Sequence, residues 1–414
     1  MNNDKPIFFA GIDWGFSSHQ VCLTDHNGSV LGEQTFKHGG GGLSEMARWL
    51  TKLSDSDPQN IAVAIEVTRG PVVESLLEQN FEVHSVNPKQ LDRFRDRFSP
   101  SGAKDDRRDA RVLASALRTD RRHFRRLEPQ NPDIAVLREL TRTREELMSE
   151  RNRMTNRLRQ LLWSYYPQFN DLIDTLRPWL LELWELVPTP AAARKTRPST
   201  VHKLLKRHRV RRVDSKGVLD ILRQEGISIQ QPIEKSRVTR IKATVERMKI
   251  IDRQIKRTEA LIDETIDALA ARESTENGAV GDIEILRSIP GVGRVVLSTL
   301  LAESYDLIRR RDYKALRCLV GVAPVTRQSG KSKYVMRRRA ASRRLAEALY
   351  HWAAVAVLHD PVSKARYASL RARGLRHSRS LRTVGDRLLS VACAMLKKGE
   401  PFDKEFKKPL PEAA

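Results

Sequence analysis

An apolar run from Ile7 to Ile12 ends on an acid, Asp13, and a second short run, Val21-Cys22-Leu23, returns after Trp14-Gly15 and Ser17-Ser18-His19. Runs this short, separated by a turn, read as a buried strand, a tight turn and a returning strand. The pattern commits the start of the chain to a sheet. It also puts Asp13 at the open end of a rigid element, where a carboxylate serves either as a metal ligand or as a turn cap.

The next elements narrow the choice. Asn27-Gly28 marks a hairpin turn, and Val30 to Phe36 reads as a third strand. Gly39 to Gly42 precede a helix over about 43–53; no Lys-Ser/Thr follows them, so they read as a connector rather than a phosphate loop. Ile61 to Ile65 is a second buried strand, followed at once by Glu66. Pro71 opens a helix, Phe81 to Val86 is a further strand closed by Asn87-Pro88, and helices follow over 89–98 and about 106–117. Three meandering strands, then helix, strand, helix, strand, helix is the element order of an α/β RNase H-like domain, expected over 1–129. In that layout the first strand and the strand after the first helix are neighbours, so Asp13 and Glu66 converge at their C-terminal ends.

Asp106 and Asp109 lie three apart on one helix and share a face. They are placed to complete a four-acid cluster. Clustered carboxylates repel unless cations neutralise them, and hard oxygen ligands select Mg²⁺, with Mn²⁺ as substitute. Two such ions suit in-line displacement at phosphorus. The competing structural reading has both acids balancing the helix dipole and pairing with Arg107, Arg108 and Arg111.

Seventy-five Lys+Arg against 51 Asp+Glu leave a net charge of +24 and a pI near 10.3. Such an excess is the footprint of a polyanion binder. No apolar run reaches the roughly 18 residues of a spanning helix, and the start is unlike a signal peptide. Cys22, Cys318 and Cys393 form no CxxC pattern. The expectation is a reducing, cytosolic (cytoplasmic) location, with DNA or RNA, not a membrane, as partner.

The middle, 130–277, carries two long heptad patterns. Leu140, Leu147, Met154 and Leu161 recur every seven residues, with Leu137 and Leu158 on the companion seam and Arg144 and Arg151 interrupting it. Val238, Ile241, Val245, Met248, Ile255, Ile262, Ile266 and Leu269 make the second, broken by Asp252 and Glu259. A coiled coil, within one chain or between chains, is the simplest reading, ahead of packing on a globular body. Between them, an insertion over about 168–235 begins aromatic and leucine-rich. It then becomes strongly basic, making Lys206, Arg207, Arg209, Arg211 and Arg212 nucleic-acid contact candidates.

In the mainly helical C-terminal part, 278–399, Leu286 to Gly293 followed by an apolar helix suggests a helix-hairpin-helix-like element. Gly291 and Gly293 would present backbone N–H groups to phosphate. Downstream, Ser329 and Gly330 form a glycine-flexible loop among Arg327, Lys331 and Lys333, with Arg337, Arg338 and Arg339 expected on a helix together with Arg343 and Arg344. Spacing alone makes this a phosphate-contacting loop ahead of a nucleophile. The tail, 400–414, reads as disordered.

Several of these segments resemble the insertion-sequence transposases of the "IS one-ten" family. Gly11 to His19 with Asp13, Ile65-Glu66, Val86-Asn87-Pro88, and Lys104, Asp106, Asp109 and Ala110 are similar to the family's RuvC-like half. Leu286 to Gly293, Leu319 to Pro324 and Ser329-Gly330-Lys331 are similar to its transposase domain; 167–230 lies outside the resemblance. The resemblance implies an enzyme that mobilises its own element through a circular form, by site-specific recombination guided by a structured bridge RNA. It implies Mg²⁺ on Asp13, Glu66, Asp106 and Asp109. It further implies Ser329 as a nucleophile that leaves a covalent phosphoserine linkage, in a composite site shared between subunits of a dimer or tetramer.

Three positions depart from the pattern. Asp105 stands where the family tends to carry Thr, making it a rival ligand to Asp106. Ser-Gly-Lys replaces Ser-Gly-Gly-Lys, leaving Ser332 as a second candidate nucleophile. Arg339-Ala340-Ala341-Ser342 replaces a Lys-x-Gly-Asn-like turn. Rival functions are a Holliday-junction nuclease using metal-activated water, a non-catalytic nucleic-acid-binding protein, and an actin-like sugar kinase. The kinase is suggested by Gly11 to Gly15 but opposed by the +24 charge.

Overall fold

A computed structural model of the chain describes residues 8–98, 105–129, 131–173, 177–277, 280–330 and 332–403. Two compact units divide it, Met1–Asn131 and Pro132–Ala414.

The first unit is built on strands β1 (Phe8–Trp14), β2 (Ser18–Thr24), β3 (Val30–Lys37), β4 (Ile61–Ile65), β5 (Glu82–Ser85) and β6 (Arg125–Arg126). Their order in one sheet is β3-β2-β1-β4-β5-β6. β1 to β3 meander antiparallel, while β4 and β5 run parallel to β1. The helices are α1 (Gly40–Ser54), α2 (Pro71–Glu78), α3 (Pro88–Asp96) and α4 (Asp106–Asp120). Strand alternation sorts the two faces: Ala10, Ile12, Val21 and Leu23 pack with Met46 and Leu50, whereas Phe9, Ala62 and Ala64 pack with Leu113 and Leu117. β4 is buried at every position, as a strand covered on both faces must be.

Two details differ from the sequence reading. Gly40 to Gly42 form the first turn of α1 instead of a connector, and a Cβ on Gly42 would lie 1.9 Å from the Lys37 carbonyl oxygen. The short edge strand β6, too small to show a period, pairs antiparallel with β5.

The second unit holds α5 (Pro132–Trp163), α6 (Pro178–Leu186), α7 (Pro190–Lys195), α8 (Pro198–Arg207), α9 (Ser215–Leu222), α10 (Gln231–Asn277), α11 (Asp282–Ser288), α12 (Arg294–Arg309) and α13 (Tyr313–Val320). A hairpin, β7 (Val325–Ser329) and β8 (Ser332–Met336), precedes α14 (Arg343–His359), α15 (Pro361–Ala372) and α16 (His377–Lys398). α5 and α10 lie antiparallel, and the charges that interrupt their seams face each other. Arg144 Nε meets Glu259 Oε1 at 2.8 Å, and Arg151 pairs with Asp252. A charge in a helix seam is tolerated only with its counter-charge opposite, so each break in one heptad pattern answers a break in the other.

Both ends of this helix pair are buried in cores. At one end Ile134, Leu137, Ile262, Ile266 and Leu269 join the core of α11 to α16 around the fully buried Trp352. At the other, Leu158, Leu162, Ile241, Val245 and Met248 join Tyr165, Tyr166, Phe169, Trp184 and Leu219 of the inserted segment. The long helix pair and the helices that follow it both fall within the second unit, Pro132–Ala414. The expected tail begins packed: Phe402 N donates to Ser288 Oγ at 2.7 Å, and 404–414 lie outside the described residues. No helix among the described residues is long and apolar enough to cross a membrane.

Candidate acid site and serine hairpin

β1 and β4 pair in parallel with Ile12 opposite Ile65. Asp13 and Glu66, each one residue further on, therefore leave neighbouring strands at the same end of the sheet. α4 crosses β1 so closely that a Cβ on Gly11 would lie 2.0 Å from Ala110 O and 2.6 Å from Ala114 N. Phe9, further back on β1, packs in the cluster that holds Ala116 and Leu117. α4 thus runs against β1, and its first turn, with Asp106 and Asp109, lies at the end that carries Asp13 and Glu66.

The acids on α4 play different parts. Asp105 is the N-cap, its Oδ1 accepting from Arg107 N at 3.4 Å. Asp106 is exposed in the first turn, and Asp109 is buried. A residue the sequence reading missed, Arg95 of α3, grips Asp109 with both arms: Nε to Oδ1 at 2.5 Å and Nη2 to Oδ2 at 2.6 Å. It also pairs with Asp92. The hydrogen bond to Asp109 raises the Arg95 pKa against the opposing effect of burial, and the fields of Asp109, Asp92 and Glu66 add to the rise. The charges of Glu66 and Asp109 thus both act on Arg95, which is hydrogen-bonded to Asp109 alone of the two. Nothing in Asp92 to Arg97 distinguishes Arg95 from its neighbours, because only the approach of α3 to α4 selects it.

Arg107 and Arg111, expected to neutralise Asp106 and Asp109, turn instead to Glu33 of β3; Arg111 Nη2 lies 2.8 Å from Glu33 Oε2. The Arg111 hydrogen bond holds the Glu33 carboxyl below the usual range. Burial pushes the adjacent Cys22 thiol up to about 12, leaving it neutral and unreactive. Beside Asp13, Trp14 is 45% exposed and Phe16 is 97% exposed.

Among the described residues no three His, Cys, Asp or Glu side chains already form a metal-holding group. The cation seated against Asp109 is Arg95. Asp109, Asp92 and Glu66 act on that cation through carboxylates, the donor type that a hard divalent cation takes.

The second candidate site is the β7–β8 hairpin, where a loop was expected. Ser329 and Ser332 form its closing pair, and Gly330, with φ 54°, sits in the two-residue turn. Lys331, like Lys104, lies outside the described residues. Residues directly opposite share a face, as do alternate residues along a strand. Arg327, Ser329, Ser332 and Tyr334 thus occupy one face, and Gln328 and Lys333 the other. Lys333 is thereby placed away from Ser329. Nearly every hairpin residue is exposed, and neither serine hydroxyl has a hydrogen-bond partner among the described residues.

Arg337, Arg338 and Arg339 are not helical. Ser342 caps α14 through its hydroxyl, which accepts from Leu345 N at 3.4 Å, so the helix starts only at Arg343. Arg344 in the first turn bridges Glu145 at 2.7 Å and Glu303 at 2.5 Å.

The Pro290 to Gly293 turn does join two helices, α11 and α12. Gly291, with φ 86°, is required for packing: a Cβ there would meet Trp352 O at 2.9 Å and Ala356 N at 3.0 Å. Trp352 Nε1 donates to Pro290 O at 2.9 Å, locking the turn onto α14. Gly293 remains open at the N-cap of α12. In the basic block, Arg207 pairs with Glu182. Lys206, Arg209, Arg211 and Arg212 are exposed, and their side chains have no ion-pair partner among the described residues.

Comparison with known proteins converges on one family. Residues 10–167 match the DEDD transposase family of IS110, and residues 283–368 match the family described as "Transposase IS116/IS110/IS902 family". The chain is 31% identical to the "Mini-circle putative transposase for IS117" of Streptomyces coelicolor, over 98% of this chain and 97% of that protein. It is 54% identical to "Putative transposase y4uE" of Sinorhizobium fredii over 51% of this chain, spanning 60% of that relative's length. An uncharacterised protein of insertion element IS116 from Streptomyces clavuligerus is 27% identical over 99% of this chain and 98% of its own. With both halves matched in order and a relative aligned over nearly its whole length, the chain belongs to the IS116/IS110/IS902 family of transposases, enzymes that cut and rejoin DNA.

Proposed function

We propose that this transposase is an RNA-guided, site-specific recombinase in which an acid site on the first unit and Ser329 on the second act on the same DNA phosphate. The strand order supports an RNase H-like reading of the first unit, and the antiparallel α5–α10 pair supports a coiled-coil reading within the second. The observation that carries the acid site is the in-register pairing of β1 with β4, which delivers Asp13 and Glu66 to one edge beneath the first turn of α4.

Asp13, Glu66, Asp106 and Asp109 would hold Mg²⁺, or Mn²⁺ in its place, and Asp105 is left to its cap. The bound metal would supply stabilisation of the charge that develops on the scissile phosphate. Arg95 orients the Asp109 carboxylate through its two hydrogen bonds. On the hairpin, Ser329 Oγ attacks phosphorus: the Oγ–P bond forms as a backbone P–O bond breaks, the serine hydroxyl gives up its proton, and the departing DNA oxygen takes one up. Arg327, on the same face, balances negative charge at the phosphate. In a dimer or tetramer the acids of one protomer would serve the serine of another. The exposed cations Lys206, Arg209, Arg211 and Arg212 suit a structured guide RNA, and the work is done at the nucleoid.

Circle formation by an element-bearing plasmid in cells tests this reading. Asp13→Asn, Glu66→Gln, Asp109→Asn and Ser329→Ala should each lower it by about a hundredfold or more, and Ser332→Ala should not. If Ser329→Ala still cleaves at the normal rate while the acid variants fail, the enzyme uses metal-activated water in the manner of a junction nuclease.

A further inference from the structure

The turn from α15 into α16 carries four arginines that neither the acid site nor the hairpin uses. Arg373 is the C-cap of α15, and Arg376, Arg379 and Arg382 follow at three-residue intervals from the N-cap of α16, about 4.5 Å of rise apart. With Ser378 they line an open groove of about 500 Å³. None of the four guanidinium groups has a carboxylate or hydrogen-bond partner among the described residues. That sets them apart from Arg311, Arg317 and Arg344 of the same unit, each locked in an ion pair. Burial, together with the charges of Arg337 and Arg379, holds Arg382 below the ordinary arginine range. Like charges are thus brought together without compensation, a cost that an anionic ligand removes.

The geometry points to this groove as a seat for the phosphodiester backbone of duplex DNA flanking the cleavage point. Three features select that partner. Guanidinium groups at this spacing can meet successive phosphates of a strand. No aromatic ring lines the groove, so it offers unpaired bases no stacking platform and reads backbone, not sequence. Arg337, whose charge acts on Arg382, is the first residue after β8, so the positive field of the groove overlaps that at the foot of the hairpin that carries Ser329. The inference uses the enzyme's membership of a DNA-transposing family but does not depend on which serine, if any, is the nucleophile.

The test measures equilibrium binding of a labelled duplex carrying an element end, across roughly 50 to 200 mM salt. The full-length protein is compared with Arg379→Gln/Arg382→Gln and with a control of equal charge change on exposed α10 positions, Arg253→Gln/Arg257→Gln. The groove variant should bind about tenfold more weakly at the higher salt, and its log K against log salt slope should fall by about 2. Its melting temperature should match wild type, and the control should change far less. The inference is overturned if the folded groove variant keeps the wild-type slope, if the control loses as much, or if only binding of a structured RNA of equal length suffers. Failure of catalysis with intact DNA binding would count against the acid or serine assignments and leave the groove standing.

Discussion

Gly11 and Arg95 fix the acid site from two sides. Gly11 lets α4 approach β1 at backbone distance, and Arg95 turns a buried carboxylate from a liability into an oriented group. Gly11→Ala must drive its methyl into Ala110 O, so α4 has to lift, at about 1–3 kcal/mol or more. Denaturant unfolding should show that loss, and DNA cleavage should fall with it because Asp106 and Asp109 move with the helix. Arg95→Gln leaves Asp109 buried without its counter-charge, a change that costs about 3–5 kcal/mol. If Arg95 holds the place a divalent cation would share, Mg²⁺ should raise the melting temperature of Arg95→Gln more than that of wild type. Equal rises in the two proteins would show that Arg95 and the metal do not compete.

Among the elements, α5 and α10 show how two defects make one specification. Arg144 with Glu259 and Arg151 with Asp252 lie seven residues apart on each helix, so only one antiparallel register satisfies both pairs. Arg151→Glu or Asp252→Arg alone should destabilise the second unit, and the double reversal should recover much of the loss. A double-mutant cycle should give a coupling of about 0.5–3 kcal/mol, and a value near zero would mean the pair does not set the register. Here the sequence showed each break but not its partner, because a heptad pattern describes one helix at a time. The β7–β8 hairpin was illegible for the opposite reason: its strands bury no face, so no apolar alternation marks them, and Gly330 alone hints at a turn.

For the molecule as a whole, the most readable residues were those a core dictates. Asp13 and Glu66 stood out because buried strands end on them, and the +24 charge announced a polyanion partner. Residues defined by contacts between distant segments stayed hidden. No spacing singles out Arg95 or Arg373 to Arg382 in the sequence, and only the fold shows which arginines have partners and which have none. Gly291 was legible as a turn glycine, and the fold adds a packing reason, since a Cβ there would strike Trp352 O.

The account turns on a division of labour, acids on one unit and a nucleophilic hydroxyl on the other. The most direct measurement is to quench the Mg²⁺ reaction of wild-type protein and element-end DNA under denaturing conditions, then map any covalent adduct by peptide mass spectrometry. The account predicts a nucleotide-bearing peptide modified at Ser329, absent from Ser329→Ala and strongly reduced in Asp13→Asn. DNA cut by wild type with no adduct, or an adduct mapped to Ser332 or elsewhere, would contradict it.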